Sequence, residues 1–88
     1  MVAQVVTIKN SLGIHARPAV MLARTAANYS SVISLHKDGI TINGKSILEV
    51  MMLGAEQGSR IEVIANGDDE KKALQSILDV IERGFDEE

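Results

Sequence analysis

Few side chains in this sequence can do covalent chemistry. It has no cysteine, and its only imidazoles are His15 and His36. His15 stands in GIHARPA, residues 13–19, beside Arg17 and the chain's single proline, where an apolar-periodic segment begins. The first turn of a helix leaves backbone N–H groups without intrahelical acceptors, and the macrodipole adds roughly half a positive charge there. Such an end attracts an anion before any side chain is counted. Arg17 adds a permanent charge and a donor fork suited to phosphate oxygens. The same field favours neutral imidazole over imidazolium, leaving a ring nitrogen free to attack an electrophile. Gly13 gives the preceding loop the freedom to present that ring. The group can therefore accept a phosphoryl group on His15 and cradle its charge. A plainer reading stands beside it: a histidine capping a helix start, followed by a proline of the kind common in first turns.

A second grouping is Ser46-x-x-Glu49, set just before the apolar segment ILEVMML at 47–53. That is a capping box: the Ser hydroxyl accepts from the backbone at the third helical position, and the Glu reaches back. Helical spacing turns Val50 and Leu53 to the core and leaves Ile47, Leu48 and Met51 partly outside. Val20 and Met21 lie off the stripe of the helix after His15, so they too stay near the surface. An apolar patch near an anion site suggests a partner surface, and methionine suits one that must fit several partners. Arg24 is placed to rim it. The competing reading puts Leu48 and Met51 in the core. His36 falls on the solvent face of a strand beside Lys37, where no role is expected. His15 with His36 makes no metal site for want of further ligands, so no metal or other cofactor is expected. The acidic stretches at 68–70 and 86–88 read as a helix start and a solvated tail.

The elements that must position these groups follow from periodicity. Residues 2–8 are rich in β-branched side chains and form a strand with Val6 and Ile8 on one face, before a turn at KNSLG. Ala19, Leu22, Ala23 and Ala26 mark the inner face of a helix over about 16–27, with Pro18 in its first turn. SVISLHKDGITINGK holds two alternating runs around Asp38-Gly39, a tight hairpin signal. It sends Ile33, Leu35, Ile40 and Ile42 inward, and Ser34, His36, Thr41 and Asn43 to water. The segment at 47–53 closes at Gly54. RIEVIAN is a fourth strand with Ile61, Val63 and Ala65 on one face. Asp68 and Asp69 open a last helix, with Leu74, Ile77, Leu78 and Ile81 as its stripe and Gly84 beyond its end. The order is βαββαβα. Because each strand has one apolar and one polar face, the fold class is α+β: an open-faced sandwich whose four-stranded antiparallel sheet carries three helices on one side.

Composition bounds the rest. Eighty-eight residues are one small domain with a single thin core, aliphatic because 45% of residues are apolar yet there is one Tyr, one Phe and no Trp. The net charge of −3 and the lack of a basic run argue against a nucleic-acid partner. No apolar run approaches the ~18 residues of a membrane span, and the first ten residues lack signal-peptide character. A soluble cytoplasmic monomer is the expectation.

GIHARPA, NGKSILEVMMLG and GDDEKKAL, in register and at matching separation, resemble the signatures of HPr, the histidine phosphocarrier family of the bacterial phosphoenolpyruvate-dependent sugar phosphotransferase system. The resemblance covers essentially all of residues 1–88, read as a single HPr-like domain. It implies that His15 takes a phosphoryl group on its δ1 nitrogen from enzyme I and passes it to the IIA unit of a sugar permease. The protein would then be a carrier consumed and regenerated, not an enzyme. Arg17 carries over as the phosphate's partner, with the amides of Ala16 and Arg17 completing the cradle, and Val20, Met21, Arg24, Ile47, Leu48 and Met51 as the docking patch. The resemblance also implies that an ATP-dependent kinase/phosphorylase can phosphorylate Ser46, although HPr proteins of organisms without the kinase keep the serine. A phosphoserine adds about −1.5 to −2 charges, which a helix N-terminus tolerates, so the effect would fall on docking partners. Leu12 departs from the small polar residue many members have there; Asn10 or Ser11 is the expected substitute near His15. Two alternatives remain: a carrier of the nitrogen-related regulatory branch, and a non-catalytic module whose anion site binds a partner's phosphate or carboxylate.

Overall fold

A computed structural model describes residues 1–87 of the chain. The strands are β1 (Val2–Thr7), β2 (Val32–Lys37), β3 (Ile40–Asn43) and β4 (Arg60–Asn66). The helices are α1 (Ala16–Ala27), α2 (Ile47–Met52) and α3 (Glu70–Glu82), giving the expected βαββαβα order. The strands form one antiparallel sheet in the order β1-β4-β2-β3. Register aligns the inward residues: Val6 faces Ile61, while Leu35 lies between Val63 of β4 and Ile42 of β3. These five are buried, and all three helices pack over that face with Ala19, Leu22, Ala26, Val50, Ala73, Ile77 and Ile81. The other face is open, as one-sided alternation requires.

Asp38 (φ 50) and Gly39 (φ 81) both take the positive φ that a tight two-residue hairpin needs. Ile40 departs from expectation. It has the parity of Ile42 but is 53% exposed, because the hairpin end extends beyond the cover of the helices. The inner stripe of α3 also differs slightly: Ala73 and Val80 are buried, and Leu74 is only half-buried at the edge of the core.

Asp69 is the N-cap residue of α3, yet it caps nothing with its side chain. Its carboxylate instead accepts from the Ser30 and Ser31 N–H groups, at 2.9 and 3.0 Å, and from the Ser31 hydroxyl. That ties the α1–β2 connection to α3. Those bonds, the Ser31 hydroxyl foremost, lower the Asp69 pKa from 3.8 to about 2. A depressed carboxylate pKa contributes stability that is complete above the unfolded value and is lost as pH falls towards the folded one. In Asp69→Ala, the urea midpoint is therefore expected to fall less steeply than in wild type as pH drops from about 4 to about 2. Equal acid limbs in the two proteins would remove Asp69 from this role.

Candidate functional site

The α1 N-terminus begins with His15 as N-cap, in extended backbone (φ −89, ψ −168) and with no side-chain capping bond. The first intrahelical bond runs from Ala19 N–H to His15 O at 3.0 Å. The Ala16 and Arg17 amides thus have no helical acceptor, and Pro18 has no N–H to satisfy. Arg17 is exposed, and its guanidinium makes no ion pair among the described residues. The groups expected at an anion site are thus brought together: two amides without helical acceptors, a guanidinium without an ion pair among the described residues and an imidazole at a helix start.

The loop before it is held tightly. Gly13 has φ +66 and lies so close to residues 55–56 that a Cβ would sit 2.4 Å from the Ala55 carbonyl oxygen. Ile14 N–H donates to that same oxygen at 2.9 Å. Glycine is needed here for both its φ and its missing side chain. The loop is therefore fixed in place, and His15 is presented by a rigid backbone.

Of the acidic stretch expected to be a solvated tail, Asp86 is exposed, but Glu87 is sheltered. Beyond α3, Gly84, Phe85 and Asp86 all have positive φ (64, 57 and 60), which turns the chain back. Phe85 is fully buried in the core that also holds Ile8 and Ile14. Burial of that ring holds a bulky residue in the left-handed region, where such residues seldom sit. The turn brings Glu87 onto His15: Glu87 Oε2 lies 2.8 Å from His15 Nε2. Its Oε1 accepts from Asn10 Nδ2 at 2.8 Å, and Asn10 Nδ2 also donates to Gly13 O at 2.7 Å. His15 is 38% exposed while Glu87 is 14% exposed, so the ring is accessible and its carboxylate partner is sheltered. Of the polar substitutes expected for Leu12, Asn10 reaches His15 through Glu87 and through Gly13 O, which also accepts from His15 N–H at 3.2 Å, and Ser11 lines the adjoining depression with Leu12, Arg17, Asp86 and Glu87. The signal for Glu87 was Phe85, the chain's one phenylalanine, placed in an otherwise polar end. Glu88, the last acidic residue of that stretch, lies outside the described residues.

The second grouping forms half of a capping box. Ser46 is the N-cap of α2, and its Oγ accepts from Glu49 N–H at 3.2 Å. Ser46 N–H is already donated to Asn43 O, so Glu49 instead accepts from Asn43 N–H at 3.1 Å, on the edge strand β3. Ser46→Ala is expected to cost about 1 kcal/mol, the usual worth of a Ser cap. In a domain of this size that lowers Tm by roughly 4–8 °C, read by thermal melting. An unchanged Tm would contradict the cap.

Beside α1 lies α2, with Val50 and Leu53 buried beneath it. Ile47 (42%), Leu48 (70%) and Met51 (41%) are exposed, as spacing required, and Met52 (68%), which spacing had not singled out, joins them. Val20 and Met21 are half-buried and Arg24 is exposed on α1. His36 is remote from this chemistry; its Nδ1 bonds Thr41 Oγ1 at 2.7 Å across the hairpin. Among the described residues no cluster of three metal-ligating side chains occurs, and no helix is long and apolar enough to cross a membrane.

A family model described as the PTS HPr component phosphorylation site matches residues 2–83. The phosphocarrier protein NPr of Proteus mirabilis is 42% identical over 84 residues, covering 94% of this chain and 93% of that protein. The phosphocarrier protein HPr of Treponema pallidum is 40% identical over 88 residues and all of both chains. The crystal structure of HPr-C-His from Thermoanaerobacter tengcongensis superposes with a TM-score of 0.96 at 43% identity, over 100% of this chain and 99% of that one.

Proposed function

The chain belongs to the HPr family of phosphotransferase-system phosphocarriers, and on that premise we propose that His15 is the phosphoryl acceptor, charged by phospho-enzyme I and discharged to the IIA units of sugar permeases. One observation carries this reading. His15 caps α1 beside two unpaired amides, at Ala16 and Arg17, and beside an unpaired Arg17 guanidinium. A phosphate on the ring would meet the helix dipole, those two N–H donors and a bidentate cation together. The carrier is consumed and regenerated in each cycle, so it acts as a cosubstrate, in the cytoplasm and as a monomer. Val20, Met21 and Arg24 of α1 with Ile47, Leu48 and Met51 of α2 form the docking patch, and Met52 enlarges it.

The test is incubation with phosphoenolpyruvate and enzyme I, followed by a search for an acid-labile, base-stable phosphate. Absence of that phosphate would sink the relay. Ser46 is proposed as a regulatory site beside the same patch, where two added charges would act on docking partners. ATP and the kinase/phosphorylase should label wild type and leave Ser46→Ala unlabelled; label on the variant would move the site elsewhere.

Near-equal identity to an NPr and to an HPr supports a second reading, in which the same His15 chemistry serves the nitrogen-related regulatory branch. Parallel phosphorylation rates with the donor enzymes of the two branches decide between them: the faster donor names the branch.

A further inference from the structure

We infer that Glu87 is a positioning residue for phosphoryl transfer: its carboxylate holds the Nε2–H of His15 and thereby makes Nδ1 the nucleophile. The inference rests on the proposed role of His15 as acceptor. At neutral pH a carboxylate can only accept, so a 2.8 Å contact between Glu87 Oε2 and His15 Nε2 places the ring proton on Nε2. In the neutral ring the lone pair is then on Nδ1, which has no hydrogen-bond partner among the described residues. Glu87 is itself held: Asn10, buried to 2% exposure, donates to its other oxygen and to Gly13 O. Phe85, fully buried two residues earlier, anchors the backbone that carries it. The chain Gly13–Asn10–Glu87–His15 thus runs from a rigid loop to the reacting ring.

The transfer balances without any proton leaving the ring. The Nδ1 lone pair forms the N–P bond while the bond from phosphorus to the donor's leaving atom breaks, and that electron pair returns to the donor. Nε2 keeps its proton, and the positive charge that develops on the ring faces the Glu87 carboxylate. Asp–His pairs in acyl-transfer sites work on the same logic, fixing a tautomer and stabilising the imidazolium that forms. Arg17 and the amides of Ala16 and Arg17 would serve the phosphate, and Glu87 serves the ring that carries it.

Wild type, Glu87→Ala and Glu87→Gln are compared in two measurements. The first is the rate of phosphoryl acceptance from phosphoenolpyruvate through enzyme I. The second is the 15N spectrum of the His15 ring in the unphosphorylated protein, at a pH where the ring is neutral. Glu87→Ala is expected to lower the acceptance rate about ten- to hundredfold, the range typical of groups that orient a histidine. Its two ring nitrogens should also shift towards each other as tautomers mix. Glu87→Gln has one amide oxygen for two donors, Asn10 Nδ2 and His15 Nε2–H, so it should give a ring spectrum and a rate between those of wild type and Glu87→Ala. An unchanged rate in Glu87→Ala overturns the inference, and so does a lowered rate with an unchanged ring spectrum. If wild type accepts no phosphoryl group at all, the acceptor role of His15 fails instead.

Discussion

With alanine in place of His15, label from phosphoenolpyruvate and enzyme I is expected to fall to background while the fold persists. The loss should be complete because no neighbouring group can substitute. Among side chains near the α1 N-terminus, Ser11 offers only an aliphatic hydroxyl, a weak nucleophile, while Arg17 and Asn10 are not nucleophiles at neutral pH. The fold should survive because the ring is 38% exposed, and the Glu87 carboxylate it would release keeps its bond from Asn10. The lost His15–Glu87 contact contributes within about 1 kcal/mol. The measurement pairs acid-labile phosphate with thermal melting: loss of label at an unchanged Tm supports the assignment. Label that persists on the variant removes the phosphoryl group from His15, and with it the relay.

The largest stability effect is expected at Phe85. The side chain is fully buried and belongs to the single core cluster. Truncating a buried Phe to Ala typically costs about 3–5 kcal/mol, from lost transfer energy and the cavity left behind. Small domains are stable by only about 5–15 kcal/mol, so the variant should lose a large share of its stability. Urea titration reads this as a lower midpoint with little change in slope. A second consequence is local. Phe85 sits at φ 57 and Asp86 at φ 60, a conformation held by burial of the ring. Once the ring is gone the turn should relax, and Glu87 should leave His15. The Phe85→Ala variant, under conditions where it remains folded, should therefore show the same ring 15N change as Glu87→Ala. An unfolding free energy within about 1 kcal/mol of wild type would mean that the core does not depend on this ring.

Much of the molecule was legible because its signals are local. Alternation in SVISLHK and ITIN, with Asp38-Gly39 between them, specified a hairpin through the φ values that pair tolerates. The stripe Ala19, Leu22, Ala23 and Ala26 specified both the helix and its buried face. His15 and Ser46 were placed at helix starts by the residues on either side, and both are N-caps. Legibility ended where a residue's fate depended on distant neighbours. Ile40 has the right parity for burial, but whether a helix reaches over the hairpin end is not written in the hairpin. Glu49 matches the capping-box spacing, yet the Ser46 N–H was already taken, so the carboxylate went to Asn43 on the sheet edge.

The sequence by itself determined the element order, the one-sided sheet and the anion-attracting helix start, because periodicity, turn φ preferences and helix-end electrostatics act over a few residues. Only the tertiary structure decided what stands against the imidazole. Asn10 and Glu87 are 77 positions apart, and what joins them is the left-handed turn forced by burial of Phe85. No local pattern in a polar tail encodes that return, since the core volume that captures the ring exists only once the sheet and helices have closed around it.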